Sequence, residues 1–408
     1  MLDLLHYGMF FLVLLVNLLV IRQIIRKKML LSPYMFFYIL VTTELLGPLF
    51  YYLVLNGTSY RSFSNRTLYV YYGIALFTAC VFFLQSIIKK ETSVSFGLQF
   101  NKLGSEKTLF YYYMLLVFGI ILFYIVRYRN QLLLFNVLRG NNDSLVRSDT
   151  SGAIPHWYTV SSLISLILPS FYFYYSDRIK SQLLSFLLFL MVAFITIIDG
   201  NKGLFIYLVL FMFMYVYKFK LNKYTLTSIV AAFLLYFLLK AGKISEVWVV
   251  ISSAFRRFFV TQGACFINRI QMVADGYDFS HSERISKDVF TYMYHYPDGA
   301  APTLFWGDIY VKHGLAVVLV VIAVSNWIMY SASDLIVKEY YDNKFMYWAY
   351  ASVAYIICMS ELSFEHILRI VMVLLNCLVF VMTVGKRTAP EERDVLLSGR
   401  NAKGWILR

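Results

Sequence analysis

Apolar residues fill this chain in long, unbroken runs separated by short polar breaks. The runs lie near Leu4–Ile21, Met35–Leu55, Leu68–Ile88, Leu109–Val126, Tyr158–Tyr175, Leu183–Ile198, Gly203–Tyr217, Tyr224–Leu239, Ile309–Ala332, Phe345–Ser360 and Ile367–Val384. They are continuous rather than alternating, so they predict helices, not half-buried strands. Several reach about 18 residues, enough to cross about 30 Å of hydrocarbon. A chain in lipid must satisfy its backbone internally, which leaves helices or a closed barrel. The expected fold class is all-α, a polytopic transmembrane helical bundle of about eleven spans forming a single integral membrane domain over 1–408. The Asp199–Lys202 break joins two short runs and is the least secure crossing.

Two polar intervals are longer than the rest. One covers 127–157 and begins with Arg127 to Arg139, where Leu132, Leu133, Leu134, Phe135, Val137 and Leu138 predict a short amphipathic helix lying in the interface. Gly140 ends it, and a turn follows. The other, 240–308, is a large loop between spans eight and nine, with a helix expected near Ser245–Phe259.

Charge orients the bundle. Short loops carry Arg22, Arg26, Lys27, Lys28, then Lys89, Lys90, Lys102, Lys107, then Arg178, Lys180, Lys218, Lys220, Lys223, Lys338 and Lys344, and a basic tail runs from Lys386 to Arg408. All fall on one side, which the positive-inside rule makes the cytoplasm, with the N-terminus outside and the C-terminus inside. The opposite face carries arginine: Arg61, Arg66, Arg127, Arg129, Arg139, Arg147, Arg256, Arg257, Arg269 and Arg284. Lysine is enough to set topology, whereas the planar guanidinium binds two phosphate oxygens at once. Long loops also translocate whatever their charge, so solvated arginine is the competing reading. The N-terminal Met1–Tyr7 has no Lys or Arg, so the first span is expected to be retained rather than cleaved.

Composition agrees with this picture and narrows it. The 408 residues are 60% hydrophobic and 15% charged, against about 25% charged in ordinary soluble domains. The net charge of +14 suits anionic lipid. Its spread over both faces argues against a nucleic-acid partner. Cys80, Cys265, Cys358 and Cys377 lie far apart, with no disulfide framework or metal spacing.

Few groups could carry chemistry. Glu44 sits inside span two, where a charge costs at least about 3 kcal/mol and demands a cavity or a partner. Lys202, in Asp199-Gly200-Asn201-Lys202-Gly203, either faces a ligand or snorkels from a tight hairpin. Arg256, Arg257 and Arg269 come near one another if their loop folds back, although adjacent helical residues diverge by about 100°. Asp308, Glu361 and His366, with His281, His295, His313 and Glu365, are candidate acids and bases. Glu361, Glu365 and Arg369 are spaced four apart and could instead form a salt-bridged, capped start to the last span. The first outer loop, Asn56–Arg66, contains no acid, and no nucleotide loop or His-x-x-His pattern occurs. Metal-dependent and cytosolic nucleotide-sugar chemistry are both disfavoured.

Three stretches carry a resemblance. They are Leu138-Arg139-Gly140 through Arg147 and Gly152; Asp199-Gly200-Asn201-Lys202-Gly203-Leu204; and Pro302-Thr303-Leu304-Phe305-Trp306-Gly307-Asp308-Ile309-Tyr310 ending at His313-Gly314. With the layout of the chain, they make it resemble the O-antigen polymerases (Wzy-type oligosaccharide repeat-unit polymerases). Asp308 stands where that family often has Glu, and Lys202 where the related ligases carry arginine. The resemblance implies a multi-pass protein of the bacterial inner membrane. It implies transfer of a glycan from undecaprenyl pyrophosphate to the terminal sugar of another lipid-linked repeat unit, on the outer face. No metal and no cofactor are expected. Arg139, Arg147, Lys202, Arg256, Arg257 and Arg269 become candidate pyrophosphate or sugar contacts, and Asp308, Glu361 and His366 the candidate acid–base group. Undecaprenyl-pyrophosphate-linked glycans, membrane lipids and a chain-length regulator protein are the candidate partners. A ligase-type glycan transferase and a lipid-linked oligosaccharide flippase are the rival readings.

Overall fold

The computed structural model describes residues 2–26, 32–55, 62–88, 106–132, 247–282, 284–296, 299–339, 343–359 and 363–384, with isolated positions between 154 and 234. Among the described residues the chain is entirely helical. The helices are α1 (Leu2–Arg26), α2 (Pro33–Phe50), α3 (Asn65–Ile87), α4 (Glu106–Tyr128), α5 (Val247–Arg256), α6 (Gln262–Ala274), α7 (Ile285–Tyr294), α8 (Trp306–Glu339), α9 (Lys344–Met359) and α10 (Phe364–Val384). Two π-helical turns interrupt them: Tyr51–Leu55 continues α2, and Arg257–Thr261 joins α5 to α6.

The segments Leu4–Arg26, Pro33–Leu55, Asn65–Ile87 and Trp306–Val337 are long and apolar enough to cross a membrane; Leu115–Tyr128 and His366–Met382 are shorter apolar helices. Spans expected from Tyr158 to Leu239 lie outside the described residues, apart from those isolated positions. The outward face of α1, with Leu4, Phe11, Leu15 and Leu18, is exposed apolar surface, as a lipid-facing helix requires. Its inner face packs on α3, where His6 stacks on Tyr69 and meets Asn65 Oδ1 at 3.1 Å.

Local signals set several helix ends. Ser64 caps α3 by accepting from the Thr67 N–H, and Pro33 opens α2 at a position that needs no N–H. Pro48 lies inside α2 and cannot donate to the carbonyl of Glu44 four residues back. The helix widens to π geometry just after it. The core gathers on the inner faces of α1, α2, α3, α8 and α9 and is heavily aromatic, with Tyr34, Phe37, Tyr38 and Phe82 packed together and Phe345 stacked on Phe380.

Three findings correct the expectations from sequence. Arg127 belongs to the last turn of α4, and the chain turns at Arg129–Gln131, so no separate helix begins at Arg127. The apolar run of span four simply carries on through it. Secondly, the interval 240–308 does more than form an outer loop with one helix. Its α6 is wedged against α2, α3 and α8, and its buried face includes Cys265, Phe266, Ile267, Arg269 and Ile270. Thirdly, α5, the π turn and α6 form one continuous helical run, with Arg256, Thr261 and Gln262 all in right-handed helical conformation. The segment does not fold back between Arg256 and Arg269. At 1.5 Å per residue they stand about 20 Å apart along the axis.

Candidate functional site

Glycines allow the wedge. A Cβ on Gly263 of α6 would run into the carbonyl oxygen of Glu44, and one on Gly47 of α2 into the carbonyl oxygen of Phe259. The backbones of α2 and the α5–α6 run therefore touch, in the manner of small-residue helix crossings in membranes. Both π turns lie next to this crossing.

The π turn also sets which side chains share a face. Along an uninterrupted α-helix, Ser253 and Arg256 would be followed on the same face by position 260. The extra residue of the π turn moves the face on by one. Ser253, Arg256, Thr261 and Cys265 then line one cleft, together with Gln262. Its opposite wall is Phe290 and Tyr294 of α7 with Ala300, Ala301 and Pro302, and its volume is about 200 Å³. The guanidinium of Arg256 lies over the Tyr51 ring, 5.6 Å from its centre, a cation–π arrangement. Thr261 Oγ1 donates to the Arg256 carbonyl at 3.4 Å. No carboxylate is among the described residues lining the cleft.

Behind the cleft stands a wholly buried ion pair. Arg269 Nε donates to Asp308 Oδ1 at 2.9 Å, and Nη1 donates to the carbonyl of Cys265 at 3.1 Å. Neither side chain is more than 5% exposed. Asp308 sits in the first turn of α8, where the helix dipole favours an anion. Glu44 of α2 is equally buried, and its Oε2 accepts the Leu304 N–H at 3.2 Å. Glu44 Oε1 and Arg269 Nη2 have no hydrogen-bond partner among the described residues. One acidic and one basic atom are thus left with unused capacity inside the protein.

A hydrogen-bonded relay ties this core to α3 and α7. Gln271 Oε1 accepts from Ser64 N–H and Thr67 Oγ1, Gln271 Nε2 donates to Asp275 Oδ1, and Tyr292 donates to Asp275 Oδ2. Burial and that hydrogen bond hold the Tyr292 phenol above its usual range.

The candidate residues therefore separate. Arg256 fronts the cleft. Arg269 and Asp308, assigned different tasks from sequence, are each other's partners one helical turn beyond Cys265. Arg257 opens the π turn. His366 stands in the first turn of α10, its Nδ1 2.6 Å from Ser363 Oγ, and Ser363 also accepts the His366 N–H. His295 ends α7 in the left-handed conformation, φ 53°. Arg139, Arg147, Lys202 and Glu361 lie outside the described residues. Gln262, Thr261, Tyr51 and Tyr294 were not legible as site residues, because only the π shift and the packing of α7 bring them together. No family model, curated protein or solved structure matches the chain.

Proposed function

We propose that the chain is a multi-pass membrane glycosyltransferase that polymerises lipid-linked oligosaccharide repeat units. It acts on the outer face of a bacterial inner membrane, with an undecaprenyl-pyrophosphate-linked glycan as donor. The observation that carries this reading is Arg256, held over Tyr51 at a cleft built beside apolar helices. In the reaction the anomeric carbon leaves the lipid pyrophosphate and bonds to a hydroxyl of the acceptor's terminal sugar. Charge grows on the departing pyrophosphate, and fixed guanidinium groups stabilise it in place of a metal ion. Arg256 is the described candidate for that task, with Arg139, Arg147, Arg257 and Lys202 as further candidates. The hydroxyl proton passes to a base, for which Glu361 and His366 stand. Asp308 already accepts from Arg269 and holds that arginine in place.

The test is deletion and complementation in a host that makes the glycan. Loss of a polymerase leaves single capped repeat units on the surface. Loss of a ligase leaves none attached, and loss of a flippase traps repeat units on the inner leaflet. Either of the last two results would overturn the reading. Arg256→Ala is expected to shorten the glycan ladder, and Lys287→Ala, on exposed α7 surface, is expected to leave it unchanged.

A further inference from the structure

We infer that the cleft between the α5–α6 run and α7 is a subsite for one sugar ring carrying a phosphate. Naming that unit the donor's glycosyl phosphate rests on the polymerase reading; the binding chemistry stands apart from it.

Size comes first. The cleft holds about 200 Å³, below the about 300–1,000 Å³ of sites for drug-sized ligands. That is room for a single ring and its phosphate, not for an oligosaccharide. Its two walls differ in kind. Phe290, Tyr294 and Pro302 offer apolar, partly aromatic surface to the C–H face of a sugar. Ser253, Thr261 and Gln262 offer hydroxyl and amide groups to its hydroxyls. Arg256 at the rim offers a guanidinium to the phosphate.

Gln262 supplies the second, independent sign of a ligand. The side chain lines the cleft and is 5% exposed, yet its Oε1 has no hydrogen-bond partner among the described residues. A buried amide oxygen without a donor costs about 1–3 kcal/mol, and the terminal amide torsion is soft. A hydroxyl or N-acetyl N–H of a bound sugar is the donor that would satisfy it.

The test uses the purified full chain in detergent, titrated separately with glucose 1-phosphate, glucose and inorganic phosphate. Glucose 1-phosphate is expected to bind at least about tenfold more tightly than either fragment. Arg256→Ala is expected to weaken the sugar phosphate about tenfold without changing glucose binding. Tyr294→Ala should weaken glucose and the sugar phosphate but spare inorganic phosphate. Both residues are exposed, so these variants keep the core; Gln262→Leu tests the buried amide and should weaken both sugars. Inorganic phosphate binding as tightly as the sugar phosphate, or affinity unmoved by both Arg256→Ala and Tyr294→Ala, would overturn the subsite. The two proposals fail separately. Sugar-phosphate binding that follows these variants, in a chain whose deletion leaves glycan length normal, would remove the polymerase reading and keep the subsite. A ladder that depends on the chain, with no sugar-phosphate binding, would do the reverse.

Discussion

The Tyr71 hydroxyl donates to the carbonyl of Glu44 at 3.1 Å and to that of Leu45 at 3.2 Å. The Glu44 carbonyl is the one that Pro48 leaves without an intrahelical donor, because proline has no N–H. Tyr71 is wholly buried on α3, so a helix defect on α2 is repaired from a neighbouring helix, as membrane interiors demand. Tyr71→Phe is expected to destabilise the protein by about 1–3 kcal/mol, the cost of orphaning a buried carbonyl. In a Pro48→Ala background the alanine N–H can serve Glu44, so the same Tyr71→Phe change should cost less. Thermal midpoints of the four proteins in detergent check this; equal costs in both backgrounds would sink the repair argument.

Gly263 and Gly47 tolerate no side chain for a different reason. Each would drive its Cβ into a carbonyl oxygen of the facing run, and backbone cannot rotate away as a side chain can. Gly263→Ala and Gly47→Ala should each cost about 1–3 kcal/mol or more by overpacking. Gly73→Ala on α3, with no described residue within 4 Å of its Cβ position, is expected to be neutral or stabilising by about 0.5–1 kcal/mol. A denaturant series comparing the three variants is sufficient, and a Gly263→Ala protein as stable as Gly73→Ala would contradict the close crossing.

How far the sequence reaches is clear from particular segments. The apolar run Leu68–Ile88 predicts the helix found at Asn65–Ile87, and Ile367–Val384 predicts the one at Phe364–Val384. Long runs are legible because lipid and core make the same demand at every position. The α6 wedge is not legible, because Gln262, Arg269 and Gln271 read as surface. Their burial depends on partners far along the chain: Gln271 meets Ser64 and Thr67 across more than 200 residues. Arg256, Arg269 and Asp308 stand out in the sequence by residue type. The pairing of the last two, and the cleft beside the first, depend on the π turn and on glycine contacts that no periodicity records.

Gly314 divides α8. Its φ of 79° and ψ of −176° lie inside an otherwise helical segment of 34 residues, in a region that is essentially glycine-only. An unbroken helix of that length would run about 51 Å, well beyond about 30 Å of hydrocarbon. The break lets Trp306–His313, with Asp308, take its own direction. No described residue lies within 4 Å of a Cβ at Gly314, so among the described residues substitution acts through backbone strain alone. Gly314→Ala should cost about 1–3 kcal/mol. Gly314→Ser should cost the same, since size is irrelevant there. A marked difference between the two would point to a hidden clash instead.

Tyr292 gives the structure an alkaline limb. Burial, and then the hydrogen bond to Asp275, raise its phenol above the ordinary value. Below the unfolded pKa of about 10 both states hold the proton, and the folded state keeps its full stability. As pH rises from there through the raised folded value, the unfolded chain releases its proton first, and stability is lost. Tyr292→Phe removes the titrating group and should flatten this limb while lowering stability near neutral pH, because Asp275 Oδ2 loses its donor. Thermal midpoints measured from pH 8 upward decide it; an alkaline slope unchanged in Tyr292→Phe would exclude this tyrosine as its source.

The Arg269–Asp308 pair makes the sharpest energetic prediction. Both groups are out of water, and their attraction must offset the desolvation of two charges. Removing one leaves the other uncompensated, so Arg269→Ala and Asp308→Ala should each cost about 3–5 kcal/mol. Removing both with apolar replacements of similar bulk, Arg269→Met with Asp308→Leu, takes away the uncompensated charge and should recover much of that loss. A double-mutant cycle on folding stability measures the coupling. Additive effects, with no recovery in the double variant, would mean that the two side chains act independently despite their 2.9 Å separation.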